Sequence, residues 1–341
     1  MPRVIAVTNF KGGIGKTTTT VNVAAGFAIK GASVLVIDVD PQSNVRMCFG
    51  HAEPRRSLYD VLIDNKKIPD CVVQVRPNID LLASSDALLQ AQSDIGKRPD
   101  WGRVLENALR PVVRNYDFVL IDCSASLTVL NLNALMAASD IIVPTALEHL
   151  ALQGLRQLGR NITRIKGTMG ALRMIIPTMF DGRNRQSHRL LASLREEYGT
   201  LVTDPVRVNV RLSEATAEGK TIYEYDPRSN GAIDYAALVE KLSEVFNFQA
   251  KPMPEQVAQP VNNGLSNPAR TVAPVEIPPP PQPALVSNLQ AEEKPNFRGP
   301  VREECPHCGR PLEQVMLAGY RVYFCDHCKY KRQELASGVR R

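Results

Sequence analysis

The chain has 341 residues, of which 44% are apolar and 22% are charged, and its formal net charge is +6. This length allows one large domain with an additional segment, or two domains of moderate size. No window approaches the roughly 18 apolar residues that a membrane span needs. The first residues run directly into a strand-like segment, so we also expect no signal peptide. The modest basic excess permits contact with nucleic acid without requiring it.

Up to Phe248, short apolar runs alternate with helical patterns. The runs are almost continuously apolar, which is typical of strands covered on both faces. The predicted strands are Val4–Thr8, Ser33–Asp38, Phe118–Asp122, Ile141–Thr145 and Met174–Met179. A helix over Thr17–Lys30, ended by Gly31, follows the first strand. This alternation predicts an α/β fold with a doubly wound, mostly parallel sheet.

A closing helix over Ile233–Phe246 is expected to pack on this sheet. Its apolar residues at helical spacing are Ile233, Ala237, Leu238, Leu242 and Val245.

A glycine-rich loop joins the first strand to the first helix. It reads Asn9-Phe10-Lys11-Gly12-Gly13-Ile14-Gly15-Lys16-Thr17-Thr18. Glycines at this junction let backbone N–H groups surround phosphate oxygens, and the helix N-terminus adds favourable partial charge. We therefore expect a phosphate-binding loop, in which Lys16 reaches the β- and γ-phosphates and the Thr17 hydroxyl holds Mg²⁺.

The loop departs from the standard Walker A pattern, because Phe10 takes the place of the opening glycine and Lys11 follows it. This form resembles the deviant Walker A motif of the ParA/MinD family of ATPases. The resemblance implies that Lys11 is carried across a nucleotide-sandwich homodimer onto the partner's phosphates. A second cation there would stabilise the charge that develops during ATP hydrolysis. The nucleotide-binding residues implied in this loop are Gly12, Gly13, Ile14, Gly15, Lys16, Thr17 and Thr18.

Carboxylates end two of the predicted strands. The segment Asp38-Val39-Asp40-Pro41-Gln42-Ser43-Asn44 resembles the D-x-D-P-Q-G-N segment of ParA proteins, with Ser43 in place of the usual glycine. The resemblance implies that Asp40 positions the attacking water and that Asp38 lies in the outer sphere of Mg²⁺; a strand-end cap is the alternative role for Asp38. Asp122 suits a Walker B element that holds Mg²⁺ through water. ParA proteins usually continue with two prolines, whereas this chain has Cys123-Ser124-Ala125-Ser126.

Two later stretches extend the resemblance to about residues 3–248. Met179, Phe180 and Asp181 follow a strand where family members surround adenine. The runs Val210–Ala215 and Tyr225–Ser229 resemble the C-terminal region of the chromosomal, Soj-like members. Because nothing precedes the first strand, we expect the short subclass, which lacks an N-terminal helix-turn-helix.

The resemblance also implies partners. Short ParA proteins bind DNA non-specifically as ATP-bound dimers, and Arg211 and Arg228 match the segments that contribute; Arg207 and Lys220 are nearby. Ordinary surface ion pairs are the alternative for these cations. We further expect a ParB-like or other cargo adaptor, and a cytoplasmic, nucleoid-associated protein.

Composition changes near residue 250. Residues 249–300 hold about half of the 25 prolines, including Pro278–Pro281. We expect them to form a disordered linker between an ATPase domain over residues 1–248 and a module over residues 301–341.

The module over residues 301–341 has two cysteine pairs with the spacing of a structural zinc site: Cys305-Pro306-His307-Cys308 and Cys325-Asp326-His327-Cys328. A strand region over Gln314–Phe324, around the turn residue Gly319, makes the module resemble a zinc ribbon. Ligation by His307 or His327 remains an alternative.

Three other functions stay open. A MinD-like membrane-associated ATPase would need a basic amphipathic C-terminal helix, and residues 332–341 are a poor match. A Mrp-type iron–sulfur carrier would place its thiols within the ATPase domain. An adaptor without turnover is disfavoured because Lys11, Lys16 and Asp40 are all present.

Overall fold

The computed structural model describes residues 2–148, 151–251, 304–317, 320–325, 327–328 and 330–335. These residues fall into two compact units, the first within residues 1–262 and the second within 263–341. Except for residues 249–251, the predicted linker lies outside the described residues.

A seven-stranded sheet forms the centre of the first unit. Its strands are β1 Arg3–Val7, β2 Val34–Asp38, β3 Val73–Arg76, β4 Ile79–Leu82, β5 Phe118–Asp122, β6 Asp140–Ala146 and β7 Leu172–Thr178. The strand order is β3-β4-β2-β5-β1-β6-β7. The edge pair β3–β4 is antiparallel and the other pairs are parallel. The predicted doubly wound, mostly parallel sheet is therefore confirmed, and each of the five predicted strands is present.

Helices cover both faces of this sheet. They are α1 Lys16–Ile29, α2 Asn44–Cys48, α3 Leu58–Leu62, α4 Leu88–Gly96, α5 Val104–Leu109, α6 Val129–Ala137, α7 Ala151–Lys166, α8 Arg185–Tyr198, α9 Val210–Ala217, α10 Ile222–Tyr225 and α11 Asn230–Phe246. Buried side chains of α1, α2, α9, α10 and α11 pack on one face. Those of α3 to α8 pack on the other. The central strands β2 and β5 are buried along their whole length, as their continuous apolar sequence predicts.

The closing helix α11 begins before its predicted start, because the Ser229 hydroxyl accepts a hydrogen bond from Ala232 N at 3.1 Å and caps it. The helix packs on the sheet as predicted, but with a different face. Ile233, Ala237 and Val245 are exposed, so their predicted burial is wrong. The buried apolar side chains of α11 are Ala232, Tyr235, Leu238, Val239, Leu242 and Phe246. The Tyr235 ring sets this face, since it is fully buried with its hydroxyl 3.1 Å from that of Thr19.

Ordered contacts of the first unit continue past Phe248 to Lys251. The ammonium group of Lys251 lies 2.6 Å from both carboxylate oxygens of Asp117. Its backbone N–H donates to the carbonyl of Lys30 at 2.9 Å. The contacts of the first unit thus extend three residues beyond the predicted domain limit.

The second unit contains a three-stranded antiparallel sheet. Its strands are β8 Glu313–Leu317, β9 Tyr320–Phe324 and β10 Lys331–Leu335, in the order β10-β9-β8. The first two form a hairpin where the sequence predicts a strand region, and Gly319 lies outside the described residues. Together with the four cysteines, this small sheet has the form of a zinc ribbon.

Candidate functional site

The phosphate-binding loop connects β1 to α1. Gly13 and Gly15 have φ angles of 69° and 85°, a left-handed conformation that glycine adopts without steric cost. The Lys16 ammonium group folds back over the loop and donates to the carbonyl of Lys11 at 2.8 Å. The Thr178 hydroxyl, at the end of β7, donates to the carbonyl of Ile14 at 2.9 Å. The loop is therefore held in a curled form by its glycines and by contacts from both ends.

The phosphate-binding loop has open space beside Gly13. A Cβ added at Gly13 would meet nothing within 4 Å, and one at Gly12 would lie 3.8 Å from the Cβ of Ala125. The backbone N–H groups of a curled glycine loop at a helix N-terminus can donate to phosphate oxygens in such open space. The sequence-predicted binding residues from Gly12 to Thr18 all lie in this loop or in the first turn of α1.

Asp122 lies at the end of β5 and contacts the first turns of α1. Its two carboxylate oxygens accept hydrogen bonds of 2.7 Å from the hydroxyls of Thr17 and Thr20. Asp38, at the end of β2, is its neighbour in the parallel register, and both side chains are buried. A hydroxyl and two carboxylates are oxygen donors of the kind that Mg²⁺ prefers. The donor set therefore fits the magnesium site that the sequence predicts.

Burial controls the charges of this site. It raises the pKa of Asp122 to about 6, although the hydroxyls of Thr20 and Thr17 and the Lys16 ammonium group oppose the shift. Burial and the nearby Asp122 raise the pKa of Asp38 well above its usual range. Burial also lowers the pKa of Lys16, against the attraction of Asp122, Cys123 and Asp40. Two buried carboxylates thus face one buried ammonium group, an arrangement that a bound cation would stabilise.

Asp38 and Asp40 shape the turn between β2 and α2. Asp38 accepts hydrogen bonds from the backbone N–H groups of Asp40 and Val45 at 3.0 and 3.2 Å, so it does act as a cap at the strand end. Asp40 is partly buried and accepts from Gln42 N at 3.0 Å. Ser43 has a φ of 51°, a left-handed conformation that the glycine of the D-x-D-P-Q-G-N segment would adopt without strain.

Asn131 is a site residue that the sequence motifs do not reveal. It is fully buried on α6, and its side-chain amide accepts from Ser124 N at 3.1 Å and donates to the carbonyl of Ser124 at 2.9 Å. It also donates to the carbonyl of Ser126. Asn131 therefore holds the loop after β5.

A cavity of about 440 Å³ adjoins the phosphate loop. Among the predicted adenine-site residues, Met179 lines it; the residues lining it do not include Phe180 or Asp181 within the described part of the chain. Phe180 N instead donates to the carbonyl of Val206 at 3.1 Å, and Asp181 pairs with Arg183. The lining residues that the sequence did not predict are Val206, Arg207, Val208, Asn209, Leu212, Ser213, Thr216 and Tyr235. The alternation of valine with polar residues over residues 206–210 is the signal that could have indicated the first four of them.

Lys11 and Glu148 form an ion pair at the outer edge of the site. The side chains are 38% and 58% exposed, so the pair faces solvent. Exposed pairs contribute little to stability and exchange readily. Lys11 is thus available to another molecule at this surface.

The basic residues predicted to contact DNA differ in their surroundings. Arg211 lies 2.8 Å from a carboxylate oxygen of Glu214 and 3.7 Å from one of Asp226. Arg228 is exposed; its backbone N–H donates to the carboxylate of Asp226 at 3.2 Å, and its guanidinium group forms no ion pair with the described residues. Of the two nearby cations, Arg207 pairs with Asp234 and Lys220 with Glu218. The ion-pair alternative therefore describes Arg211 but not Arg228.

The second candidate site is the cysteine cluster of the second unit. The sulfur atoms of Cys305, Cys308, Cys325 and Cys328 all lie within 4.8 Å of one another. Two of these pairs are 3.3 and 3.5 Å apart, well beyond the length of a disulfide bond. Backbone hydrogen bonds from Cys305 N to Arg310 O and from Cys325 N to Tyr330 O fold both Cys-x-x-Cys turns in the same way. Four thiols so arranged suit a tetrahedral zinc ion.

Comparison with known proteins matches residues 2–174 to a family described as an AAA domain. The chain is 37% identical over 259 residues to the chromosome partitioning protein ParA of Caulobacter vibrioides, covering 73% of this chain and 97% of that protein. It is 35% identical over 250 residues to the sporulation initiation inhibitor protein Soj of Bacillus subtilis, covering 71% and 99%.

A similar solved structure is that of cobyrinic acid a,c-diamide synthase from Mycobacterium smegmatis with bound ATP analogue and magnesium. The TM-score is 0.63 at 29% identity, and the match covers 74% of this chain and all of that one. The fold and the loop thus define a P-loop nucleotide-binding protein. The chain belongs to the ParA family of P-loop ATPases. Every helix within the described residues is too short or too polar to traverse a lipid bilayer.

Proposed function

We propose that this protein is an ATP hydrolase that dimerises around ATP and thereby partitions DNA or positions another large cargo. The proposal rests mainly on one observation: the curled phosphate loop lies next to the buried carboxylates that end β2 and β5. The chromosome partitioning protein ParA of C. vibrioides, matched over 97% of its length, supports the same function.

Each group at the site has a role in this proposal. The loop amides and Lys16 hold the phosphates, while Thr17 and, through water, Asp122 hold Mg²⁺, which would stabilise charge on the transferring phosphate. Asp40 lies near Lys16 and keeps one carboxylate oxygen beyond its bond to Gln42 N. That oxygen can orient a water molecule for attack. The cavity lined by Met179 would hold the nucleoside.

Lys11 is the residue that links hydrolysis to dimerisation. Its ammonium group is exposed and is held by an exposed carboxylate, so a partner's phosphates can compete for it. A lysine supplied by the partner subunit makes ATP part of the dimer interface. ATP would then favour the dimer, and hydrolysis would release it.

Non-specific DNA and a ParB-like adaptor are the partners in this proposal, and the protein would act in the cytoplasm at the nucleoid. Arg228 supports DNA contact, because it is exposed and its guanidinium group forms no ion pair among the described residues. Such binding would be sequence-independent and would weaken steeply with salt.

Three substitutions test the nucleotide cycle. Asp40→Ala should accumulate an ATP-bound dimer, because hydrolysis fails while binding persists. Lys16→Ala should abolish nucleotide binding, and Lys11→Ala should bind ATP without dimerising. The measurements are nucleotide binding with a fluorescent ATP analogue, phosphate release, and dimerisation by light scattering.

Lys241→Ala is the matched lysine control, since Lys241 is exposed on α11 and pairs with Glu244. It should behave as wild type in all three assays. Normal ATP-dependent dimerisation of Lys11→Ala would contradict the role of Lys11 in the partner's site.

An amide-forming activity, as in the name of the M. smegmatis relative, is not proposed. An amide synthase that released ammonia from an amide donor through a cysteine would need a reactive thiolate. Burial raises the pKa of Cys48 to about 11 and also raises the pKa of Cys71 and Cys123. The thiols of the first unit are therefore poor nucleophiles.

The proposal includes one structural zinc ion per chain, bound by Cys305, Cys308, Cys325 and Cys328. The four thiols close the coordination of the metal, which favours a structural over a catalytic role. Elemental analysis distinguishes zinc from iron, and visible absorbance would reveal an iron–sulfur cluster. Iron at this site would instead favour the iron–sulfur carrier.

A further inference from the structure

Positive charge is concentrated in one segment of the first unit. Between residues 151 and 200 the sequence has nine Lys and Arg and three Asp and Glu, an excess equal to the net charge of +6 of the whole chain. Between residues 201 and 250, where Arg211 and Arg228 lie, it has five basic and eight acidic residues. The predicted DNA-binding arginines therefore lie in an acidic region of the sequence, and the basic excess lies elsewhere.

Helix α7 contributes to that excess with basic residues and no acidic ones. Its 16 residues include three arginines, one lysine and no carboxylate. Arg156, Arg160 and Arg164 recur every fourth residue, which aligns them along one side of the helix. Leu155, Leu158 and Ile162 are buried against the sheet. We name Arg156, Arg160 and Arg164 the α7 arginine stripe; all three side chains are exposed.

The charge of the stripe is mostly uncompensated. Arg160 bonds to the neutral amide of Gln157, and Arg164 has no carboxylate partner within the described residues. Arg156 alone is paired, through two hydrogen bonds of 2.8 and 2.7 Å to Glu197 on α8. Two further arginines without carboxylate partners in the described chain, Arg185 and Arg189, lie on α8. Positive potential therefore accumulates on these two neighbouring helices.

We infer that the α7 arginine stripe is the main surface through which this protein contacts the phosphate backbone of duplex DNA. The inference rests on the proposed function, which includes non-specific DNA binding, and it moves the principal contact from Arg211 and Arg228 to α7. One guanidinium group can donate two parallel hydrogen bonds to the oxygens of one phosphate. Neighbouring members of the stripe lie about 6 Å apart along the helix axis, so they can reach successive phosphates of one strand.

The chemistry of the surface favours DNA over a membrane or a protein partner. Exposed large apolar side chains occur on the first unit, yet none of those described lies on α7 or α8. A helix that binds a lipid surface inserts apolar residues. A protein interface usually has an apolar or aromatic centre. Protein–DNA interfaces are instead polar and strongly basic.

Three double substitutions with the same change of charge locate the contact. They are Arg160→Gln with Arg164→Gln, Arg211→Gln with Arg228→Gln, and Arg55→Gln with Arg56→Gln as the matched control. Arg55 and Arg56 are exposed adjacent arginines that pair with no carboxylate in the described residues. The full-length variants are compared by circular dichroism, and their retention of a fluorescent duplex of arbitrary sequence is measured with ATP across a salt series.

The α7 pair should weaken DNA retention on the order of tenfold at 0.15 M salt and reduce the slope of log K against log salt by about 2 per chain. The other two pairs should have smaller effects. Nucleotide binding by the α7 variant should equal that of wild type, because neither arginine contacts the phosphate loop.

Several results would overturn this inference. If the α7 pair and the Arg55–Arg56 pair weaken binding equally, the loss reflects net charge and not a specific surface. If only the Arg211–Arg228 pair weakens it, DNA binding stands and the location is wrong. If the wild type binds no DNA with any nucleotide, both the inference and the DNA part of the proposed function fail. Retention on anionic phospholipid vesicles that depends on Arg160 and Arg164, without such an effect on DNA, would identify a lipid surface instead.

Discussion

In the first unit, helices cover both faces of a seven-stranded sheet and bury two extensive apolar clusters. In the second unit, the buried side chains among those described are Cys305, Tyr323 and Cys325. The large apolar core of the first unit can hold buried carboxylates such as Asp38 and Asp122 in place before any ligand binds. A module of about 40 residues rarely buries enough apolar surface to be stable alone, so we expect the fold of the second unit to depend on metal binding. We therefore expect a preformed nucleotide site in the first unit, whereas the cysteine site and its fold should form together.

Metal removal is the strongest test of this contrast. Cys305→Ser should lose the metal and expose the second unit to protease, because structural zinc contributes about 10 kcal/mol or more to the folding of small modules. The thermal unfolding of the first unit should hardly change. Metal content, limited proteolysis and calorimetry on the full-length chain measure these effects.

His307→Ala is the control for that experiment. His307 is exposed, with its ring 4.9 Å from that of Tyr330, and it lies outside the four-sulfur cluster. This variant should retain one metal ion per chain. Loss of the metal from His307→Ala would indicate that the histidine is a ligand.

Asp122→Asn tests whether the buried charges of the first unit strain its preformed site. Burial raises the pKa of Asp122 from 3.8 to about 6, so the native state binds this proton more tightly than the unfolded state. The carboxyl therefore lowers the stability of the metal-free protein as pH rises from about 4 to about 6. Asparagine should remove this decline and raise the free energy of unfolding at pH 7 by about 1–3 kcal/mol.

The measurement for Asp122→Asn is thermal unfolding in EDTA between pH 4 and pH 8, together with magnesium-dependent nucleotide binding. Stability should rise while nucleotide binding with magnesium falls. A variant less stable than wild type at pH 7 would mean that the hydrogen bonds from Thr17 and Thr20 outweigh the cost of burying the charge.

The sequence predicts the phosphate end of the site well, because its residues are contiguous or directly follow continuous apolar strands. Lys16, Thr17 and Asp122 could be named from local pattern alone, and Asp122 was found beside Thr17. Their roles stay predictions, as do the limits of the domains.

The cavity beside the phosphate loop was less predictable. Residues 206–209, 212 and 213 reach the cavity from a loop and a helix far along the chain, and tertiary packing alone brings them there. Asn131 holds the loop after β5 through side-chain bonds that no spacing rule specifies. Strands β3 and β4 have four residues each, which is the lower limit of the patterns that identify strands. The burial of Tyr235, in turn, fixes which face of α11 packs inward.

Truncation tests where the first unit ends. A chain ending at Lys251 should keep the full stability of the first unit and its ATP binding. One ending at Phe248 loses the Lys251–Asp117 ion pair and the hydrogen bond to Lys30. Because Lys251 is half exposed, this loss should lower Tm by only a few degrees, corresponding to about 1 kcal/mol or less. Failure of both truncations to dimerise with ATP would mean that the tail belongs to the ATPase machinery.

The smallest expected effect concerns Ser43, which adopts the left-handed conformation at φ 51°. Its hydroxyl donates to the carbonyl of Ser84 at 3.0 Å, which offsets the backbone strain. Ser43→Gly relieves the strain but loses this bond and gives the unfolded chain more freedom, so the free energy of unfolding should change by about 0.5 kcal/mol or less. Ser43→Ala keeps the strain and loses the bond, and it should destabilise the protein by about 1 kcal/mol. Urea unfolding of both variants measures the difference. Equal stability of Ser43→Ala and wild type would mean that the hydroxyl does not stabilise this turn, and that Asp38 and Asp40 hold it unaided.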